Sequence, residues 1–468
     1  MRLATLLLAA CLLPAQGVAA ETRIPPSALD TAAQLRERAL ADGTAWQVLE
    51  SLTTEIGPRL AGSEADARAV AWAQAKLREL GYDKVWIEPV TFPTWERRGE
   101  SAEVLGAHAQ PLVVTALGGS PGGTVEGEVV RFESLEALRA APEGSLAGKI
   151  AFVDQPMERA HDGSNYGKAG PVRSRGPSEA IRKGAVGFLM RSLGTTRHRV
   201  VNTGLTRFEE GLEPIPSAAV ALPDADQLAR LLRRGPVRVR LALDCGWTGA
   251  DYTSHNVIGE ITGREASEEV VLIGGHLDSW DLGTGAVDDA SGIAITMAAG
   301  HLIGQLPQRP RRTIRVVAFA NEEQGLIGAR EYARRHSGEV ANHVIGAESD
   351  FGAGRIYGFD ASAPESAQAA VRDIAAALAP LGIEYMPGEG GPGPDIIPLA
   401  TIGGAWAWLG QDGSRYFDLH HNADDTIDQV DPADLAQNVA AYTVFAWLAA
   451  EAEGGFGSAA RAMQGANE

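Results

Sequence analysis

The sequence predicts an α/β protein: a mixed, mostly parallel sheet flanked by helices, with a β-rich domain inserted at residues 106–245. Three observations carry this reading. Beyond residue 255, continuous apolar runs at 270–273, 314–320 and 344–347 alternate with helix-period segments, as for strands buried on both faces. Between 106 and 245 the texture changes to short β-prone runs set off by Gly and Pro, as at Gly118-Gly119-Ser120-Pro121-Gly122-Gly123. The chain has 468 residues, 45% hydrophobic and 22% charged, which allows several units around a large core and does not fit disorder.

In chain order, residues 1–20 read as a targeting segment. Arg2 is the positive n-region, residues 3–13 the apolar h-region, and Val18, Ala19 and Ala20 the small residues before a cut. The expectation is an exported protein, periplasmic or secreted, that begins at Glu21. Leu8-Ala9-Ala10-Cys11 also resembles a lipoprotein box, but the apolar run before it is short, so the cut after Ala20 is favoured. Cys245 is the cysteine that remains, and it reads as a small buried hydrophobe. Residues 21–105 and 246–468 are then the two parts of the main domain. Within the first, 31–80 reads as helical: Ser63 with Asp66 forms a capping-box-like start, Val70, Ala73, Leu77 and Leu80 keep helical spacing, and Gly81 is a stop. Residues 84–92 read as strand. The insert holds strands at 128–132 and 149–153, an αβ stretch at 180–190 and a helix near 224–234. In the second part, a helix with Ile295, Ala299, Leu302 and Leu306 separates two of the apolar strands. Residues 387–394 form a Gly/Pro loop, and 432–450 a closing apolar helix.

A net charge of −19 with no basic tract excludes nucleic acid as the main partner. Beyond the leader, no stretch has the roughly 18 apolar residues of a membrane span.

In open α/β sheets, ligands bind beyond the carboxyl ends of the strands. Residues 270–273 are followed by Gly274-Gly275-His276-Leu277-Asp278, 314–320 by Asn321-Glu322-Glu323, and 344–347 by Glu348-Ser349-Asp350. Gly285-Ala286-Val287-Asp288-Asp289 turns into a helix, and His420-His421 precedes Asp424-Asp425-Thr426. Alone, an Asp-Asp pair is a turn or helix cap, and adjacent glutamates are a solvated face. Convergence on one sheet edge is what defeats that reading. Imidazoles with several carboxylates suit zinc, with cobalt or manganese as alternatives. The set exceeds the needs of one four-coordinate ion and fits two ions about 3.5–4 Å apart that share a carboxylate.

Together, Gly275-His276-Leu277-Asp278-Ser279-Trp280-Asp281, Asp288-Asp289, Glu322-Glu323-Gln324-Gly325, Glu348-Ser349-Asp350 and His420-His421 with Asp425-Thr426 resemble the di-zinc exopeptidase family that includes bacterial leucyl aminopeptidase. The resemblance extends to Tyr166-Gly167-Lys168 and Ile215-Pro216-Ser217-Ala218, and implies that the insert is a protease-associated-like domain. It implies two zinc ions per chain bridged by Asp288, one completed by His276 and Asp350, the other by Glu323 and His421. Glu322 would be the general base, Asp278 would fix the His276 tautomer, and Asp425 would serve His421 in the same way. The Asp288–Asp289 peptide would be cis, and the chain a homodimer acting on dipeptides and short peptides with free termini. Where many relatives have Ser-Asp-His in the substrate loop, this chain has Pro394-Asp395-Ile396, so side-chain preference is not carried over. Three other readings compete: a one-zinc glutaminyl cyclase, a receptor that has lost its ligands, and a two-metal phosphatase. Retention of all five ligand positions argues against the first two.

Overall fold

The structure is a computed structural model that describes residues 21–457. The leader and Cys11 lie outside the described residues. Within them, no helix is long and apolar enough to cross a membrane.

The chain begins with α1 (Pro26–Leu40), α2 (Thr44–Ser51) and α3 (Glu64–Glu79). Ala28, Ala32, Leu35 and Ala39 bury one face of α1 at helical spacing. The region expected to be helical over 31–80 is interrupted twice. One break is at residues 41–43; the other is at 57–63, where Gly57 and Gly62 take φ of 76° and 87°. Helix α3 starts as its sequence indicates: Ser63 Oγ accepts from Asp66 N at 3.2 Å, and Asp66 reaches back to Gly62 N at 3.0 Å. Gly81, at φ 81°, ends it.

Next come β1 (Lys84–Val104), β2 (Gln110–Leu112), β3 (Val114–Ala116), β4 (Gly123–Phe132), α4 (Leu135–Ala140), β5 (Ile150–Val153), α5 (Ser164–Arg182), β6 (Gly187–Arg191), β7 (Ser217–Val220) and α6 (Leu222–Leu232). Strands β4 to β7 pair in parallel, and apolar clusters lie on both of their faces. This lobe therefore carries more helix than its sequence suggests. Helix α5 was hidden by Gly167, Gly170, Pro171, Gly176 and Pro177, which local propensity scores as breakers. Packing outweighs propensity there: a Cβ on Gly176 would meet the Phe188 ring at 2.5 Å, so only glycine lets α5 lie this close to β6.

Strand β8 (Arg238–Ile261) returns to the main body and runs across position 245 without a break. It is followed by β9 (Ala266–His276), α7 (Ser291–Gly304), β10 (Arg312–Phe319), α8 (Ile327–Arg335), β11 (His343–Glu348), β12 (Ile356–Ala361), α9 (Gln368–Leu378), β13 (Glu384–Tyr385), α10 (Ile397–Thr401), β14 (Ala407–Gln411), α11 (Tyr416–Leu419) and α12 (Pro432–Glu451). One mixed sheet runs β11-β9-β10-β8-β4-β5-β6-β7-β3, with β1 antiparallel to β8, and β13-β12-β14 form a small second sheet. Strand β9 pairs in parallel with both β10 and β11. The apolar runs are buried throughout β10 and β11, and α7 and α12 cover them. The carboxyl ends of β9, β10 and β11 thus open on the same edge.

Gly292, in the first turn of α7, fixes how closely that helix meets the end of β11. A Cβ there would lie 1.9 Å from Ser349 O and 2.4 Å from Asp289 Oδ1. In an open helix Gly→Ala gains about 1 kcal/mol, whereas overpacking costs about 1–3 kcal/mol. Because the opposing atom is backbone, the clash wins: Gly292→Ala is expected to lower the melting temperature, and a rise would refute the close-approach account.

Candidate metal centre

His276 is the last residue of β9, Glu322 and Glu323 follow β10, and Asp350 follows β11. Asp288 and Asp289 lead into α7, and His420 and His421 follow α11. The five residues expected to hold metal converge. His276 Nε2 lies 3.0 Å from Asp288 Oδ1 and 3.3 Å from Asp350 Oδ1. On the other side of Asp288, His421 Nε2 lies 3.2 Å from Oδ2 and 2.8 Å from Glu323 Oε2. His420 stacks on His421 with ring centroids 3.4 Å apart, but its Nε2 comes only to 3.8 Å from Asp288.

Hydrogen bonding fixes the tautomers. His276 Nδ1 is 3.0 Å from Asp278 O, and His421 Nδ1 is 3.3 Å from Thr203 O. A carbonyl only accepts, so each Nδ1 carries the proton and each Nε2 of a neutral ring is a bare lone pair. Each Nε2 nevertheless faces two carboxylate oxygens. Either the rings are doubly protonated or a cation stands between donors. Asp288 Oδ2 and Glu323 Oε1 are also buried with no hydrogen-bond partner. His276, Asp288 and Asp350 offer ligand atoms within 4.8 Å of one another, as do Asp288, His420 and His421, and such N/O sets fit a metal such as zinc.

Two positioning roles differ from expectation. Asp278 fixes His276 through its main-chain carbonyl; its carboxylate is 3.8 Å from Nδ1 and instead accepts from the N–H of Glu322 at 3.0 Å and of Glu323 at 3.4 Å. Asp425 does not reach His421. Its oxygens accept from Val287 N at 2.6 Å and Asp288 N at 3.2 Å, so it shapes the loop that carries Asp288. His421, at φ 60°, is held from the lobe. Thr203 N donates to His421 O at 3.0 Å, and Asn202 Nδ2 donates to His420 O at 2.5 Å. Main-chain contacts of this kind leave no mark in a sequence. Asp289, in the motif but without an assigned role, accepts from His276 N and Gly292 N, each at 3.0 Å. The Asp288–Asp289 peptide is cis.

The Glu322 carboxylate is half-buried and makes no hydrogen bond among the described residues. Beside Asp350 opens a cavity of about 290 Å³, walled by Phe351, Tyr357, Pro394, Trp408 and Leu409, with Asp162 reaching in from the lobe. Asp395 stands near it; its N–H donates to Glu348 Oε2 at 2.7 Å, and both its carboxylate oxygens are buried without partners.

Electrostatics reflect this crowding. Burial alone would raise Asp288, but the imidazoles of His276 and His421 on either side hold it well below the usual carboxylate range. Burial, then neighbouring charge, pushes Glu322, Asp289 and Asp395 well up. His276 and His421 are raised in spite of burial, by Asp350 with Asp288 and by Glu323 with Asp288. Burial lifts Asp425 to about 7, and burial with the Asp350 charge lifts Glu348 to about 8. Such acids bind a proton when folded that the unfolded chain has already released, so their stabilisation is lost as pH rises through those values. The metal-free protein is therefore expected to melt at a lower temperature at about pH 8 than at about pH 6.5, with added zinc reversing the loss. Calorimetry on chelator-treated protein checks this, and an opposite slope would contradict the assignment.

Comparison with known proteins gives the family. Residues 256–446 match the model of peptidase family M28. Human carboxypeptidase Q is 34% identical over 418 residues, covering 88% of this chain and 86% of its own. A solved structure described as a peptidase M28 precursor from Shewanella amazonensis superposes with a TM-score of 0.89 at 48% identity, covering 91% of this chain and 97% of its own. BSAP, a zinc aminopeptidase from Bacillus subtilis, shares the fold with a TM-score of 0.59 at 19% identity, over 86% of this chain and 93% of its own.

Proposed function

This chain belongs to peptidase family M28 as a carboxypeptidase Q-like metallopeptidase of the exopeptidase type, and on that premise we propose that it is an exported di-zinc enzyme that cleaves dipeptides and short peptides with free termini. The observation that carries the reading is the split of Asp288. Its Oδ1 faces His276 and its Oδ2 faces His421, each imidazole with a carboxylate of its own in Asp350 or Glu323. His276, Asp288 and Asp350 would hold one ion, and Asp288, Glu323 and His421 the other.

The chemistry that bound zinc supplies is Lewis acidity, which acidifies water and polarises a peptide carbonyl. Glu322 takes the water proton and delivers it to the leaving amine. Its role needs a carboxylate close to the ligands yet free of them, and Asp278 arranges this by holding both main-chain N–H groups of the Glu322-Glu323 pair. The apolar and aromatic cavity beside Asp350 receives one substrate side chain. As an exported protein the chain starts at Glu21, and its assembly is a homodimer.

Glu322→Gln keeps the shape but loses the base, so zinc content is expected to stay near wild type while kcat falls by roughly 10²–10⁴-fold. Glu323→Gln is expected to lose metal first. Equal metal loss in both would mean the adjacent glutamates have been assigned the wrong way round. The broader reading is tested with free, N-blocked and C-blocked dipeptides, assayed with and without zinc. Cleavage of doubly blocked peptides as fast as free ones would exclude an exopeptidase.

A further inference from the structure

Arg59 has 0% of its surface exposed, and none of its side-chain hydrogen bonds goes to a carboxylate. It stands in the turn between α2 and α3, more than two hundred residues before the segment it holds. Its Nη1 donates to Thr284 O at 2.7 Å, Nη2 to Gly285 O at 2.9 Å, and Nε to Leu277 O. The main chain adds a second tie: Arg59 N–H donates to Ser279 Oγ at 3.2 Å, and Ser279 N–H to Arg59 O at 3.3 Å. Apart from a longer reach to Gly57 O, every bond lands on residues 277–285. That segment begins directly after His276 and ends three residues before Asp288.

A guanidinium buried away from water and counter-ions is costly, and carbonyl dipoles arranged around it are one of the few ways to keep it. The Arg59 fork fits that arrangement, since a planar group with five N–H donors can reach carbonyls at both ends of one loop. A lysine would reach one end. Glycine at 285, with φ 59°, lets the loop close over the fork: a Cβ there would meet Ser279 Cβ at 2.4 Å and Arg59 Nη1 at 2.9 Å. Burial draws the Arg59 pKa down, with the charges of Asp425, Asp278, Asp289 and Asp288 opposing that draw. Its positive charge therefore stands behind the acidic cluster without touching it.

From this geometry we propose that Arg59 is a positioning residue of the metal centre, resting on the reading of His276 and Asp288 as ligands. It fastens both ends of the 277–285 loop and so sets the 3.0 Å approach of His276 to Asp288, independently of any ion. Metal binding then does not have to order the loop, and affinity rises by the ordering cost avoided.

The test uses the full chain. Zinc affinity of chelator-stripped protein is measured by competition with a metal indicator, and amide exchange is followed over residues 277–288. In metal-free wild type those amides are expected to be as protected as in the zinc form; free exchange that only zinc suppresses would overturn the proposal without any variant. Arg59→Lys is expected to weaken zinc binding by about 10–100-fold and to speed exchange in that loop alone. Wild-type affinity in Arg59→Lys, or exchange raised evenly over the whole chain, would reduce Arg59 to an ordinary structural contact. Absence of zinc binding by wild type would defeat the di-zinc reading instead, and loop protection in the metal-free protein would still report on Arg59.

Discussion

The centre is organised by a conflict between two imidazoles and the acids around them. His276 and His421 have committed their Nδ1 protons to carbonyl oxygens, so each presents a lone pair to a pair of carboxylates. The acids around them show the same crowding: burial and neighbouring negative charge push Glu322, Asp289 and Asp395 well up. Metal held between these donors, as proposed above, would resolve the conflict. The layout of the sheet follows from it, since β9, β10 and β11 must all end at the same level for the donors to meet.

What the sequence made legible was whatever side chains write locally. The strands behind His276, Glu323 and Asp350 are runs of apolar residues that no amphipathic element would tolerate, and a polar cluster closes each. That made the edge visible without any structure; which five positions on it would hold metal came only from the family resemblance. Helix α3 was legible for the same reason, through Ser63, Asp66 and Gly81. Helix α5 was not, because its glycines and prolines answer to Phe188 and the packing of β6 rather than to helix propensity.

The groups that hold the ligands were largely illegible. Asp278 was rightly placed beside His276, yet the atom that reaches the ring is a carbonyl oxygen that any residue would supply. Thr203 and His421 meet main chain to ring and main chain to main chain. Arg59 lay inside a stretch read as helix, and its partners are carbonyls far along the chain. Such contacts depend on where the backbone goes, which is a property of the finished fold. Sequence patterns report the residues that do chemistry better than the residues that aim them.

Strands β1 and β8 pair from Lys84 with Glu260 to Val104 with Val239, interrupted only near Pro93 and Arg97. At one end β8 belongs to the sheet with β10, and at the other to the sheet with β4. The lobe is therefore joined to the body by a continuous hydrogen-bonded ribbon, where inserted domains are usually joined by two flexible crossings. Separating them would break strand pairing on both sides, so lobe and body are expected to unfold together. A protease that nicks surface loops has no linker here at which to release the lobe intact.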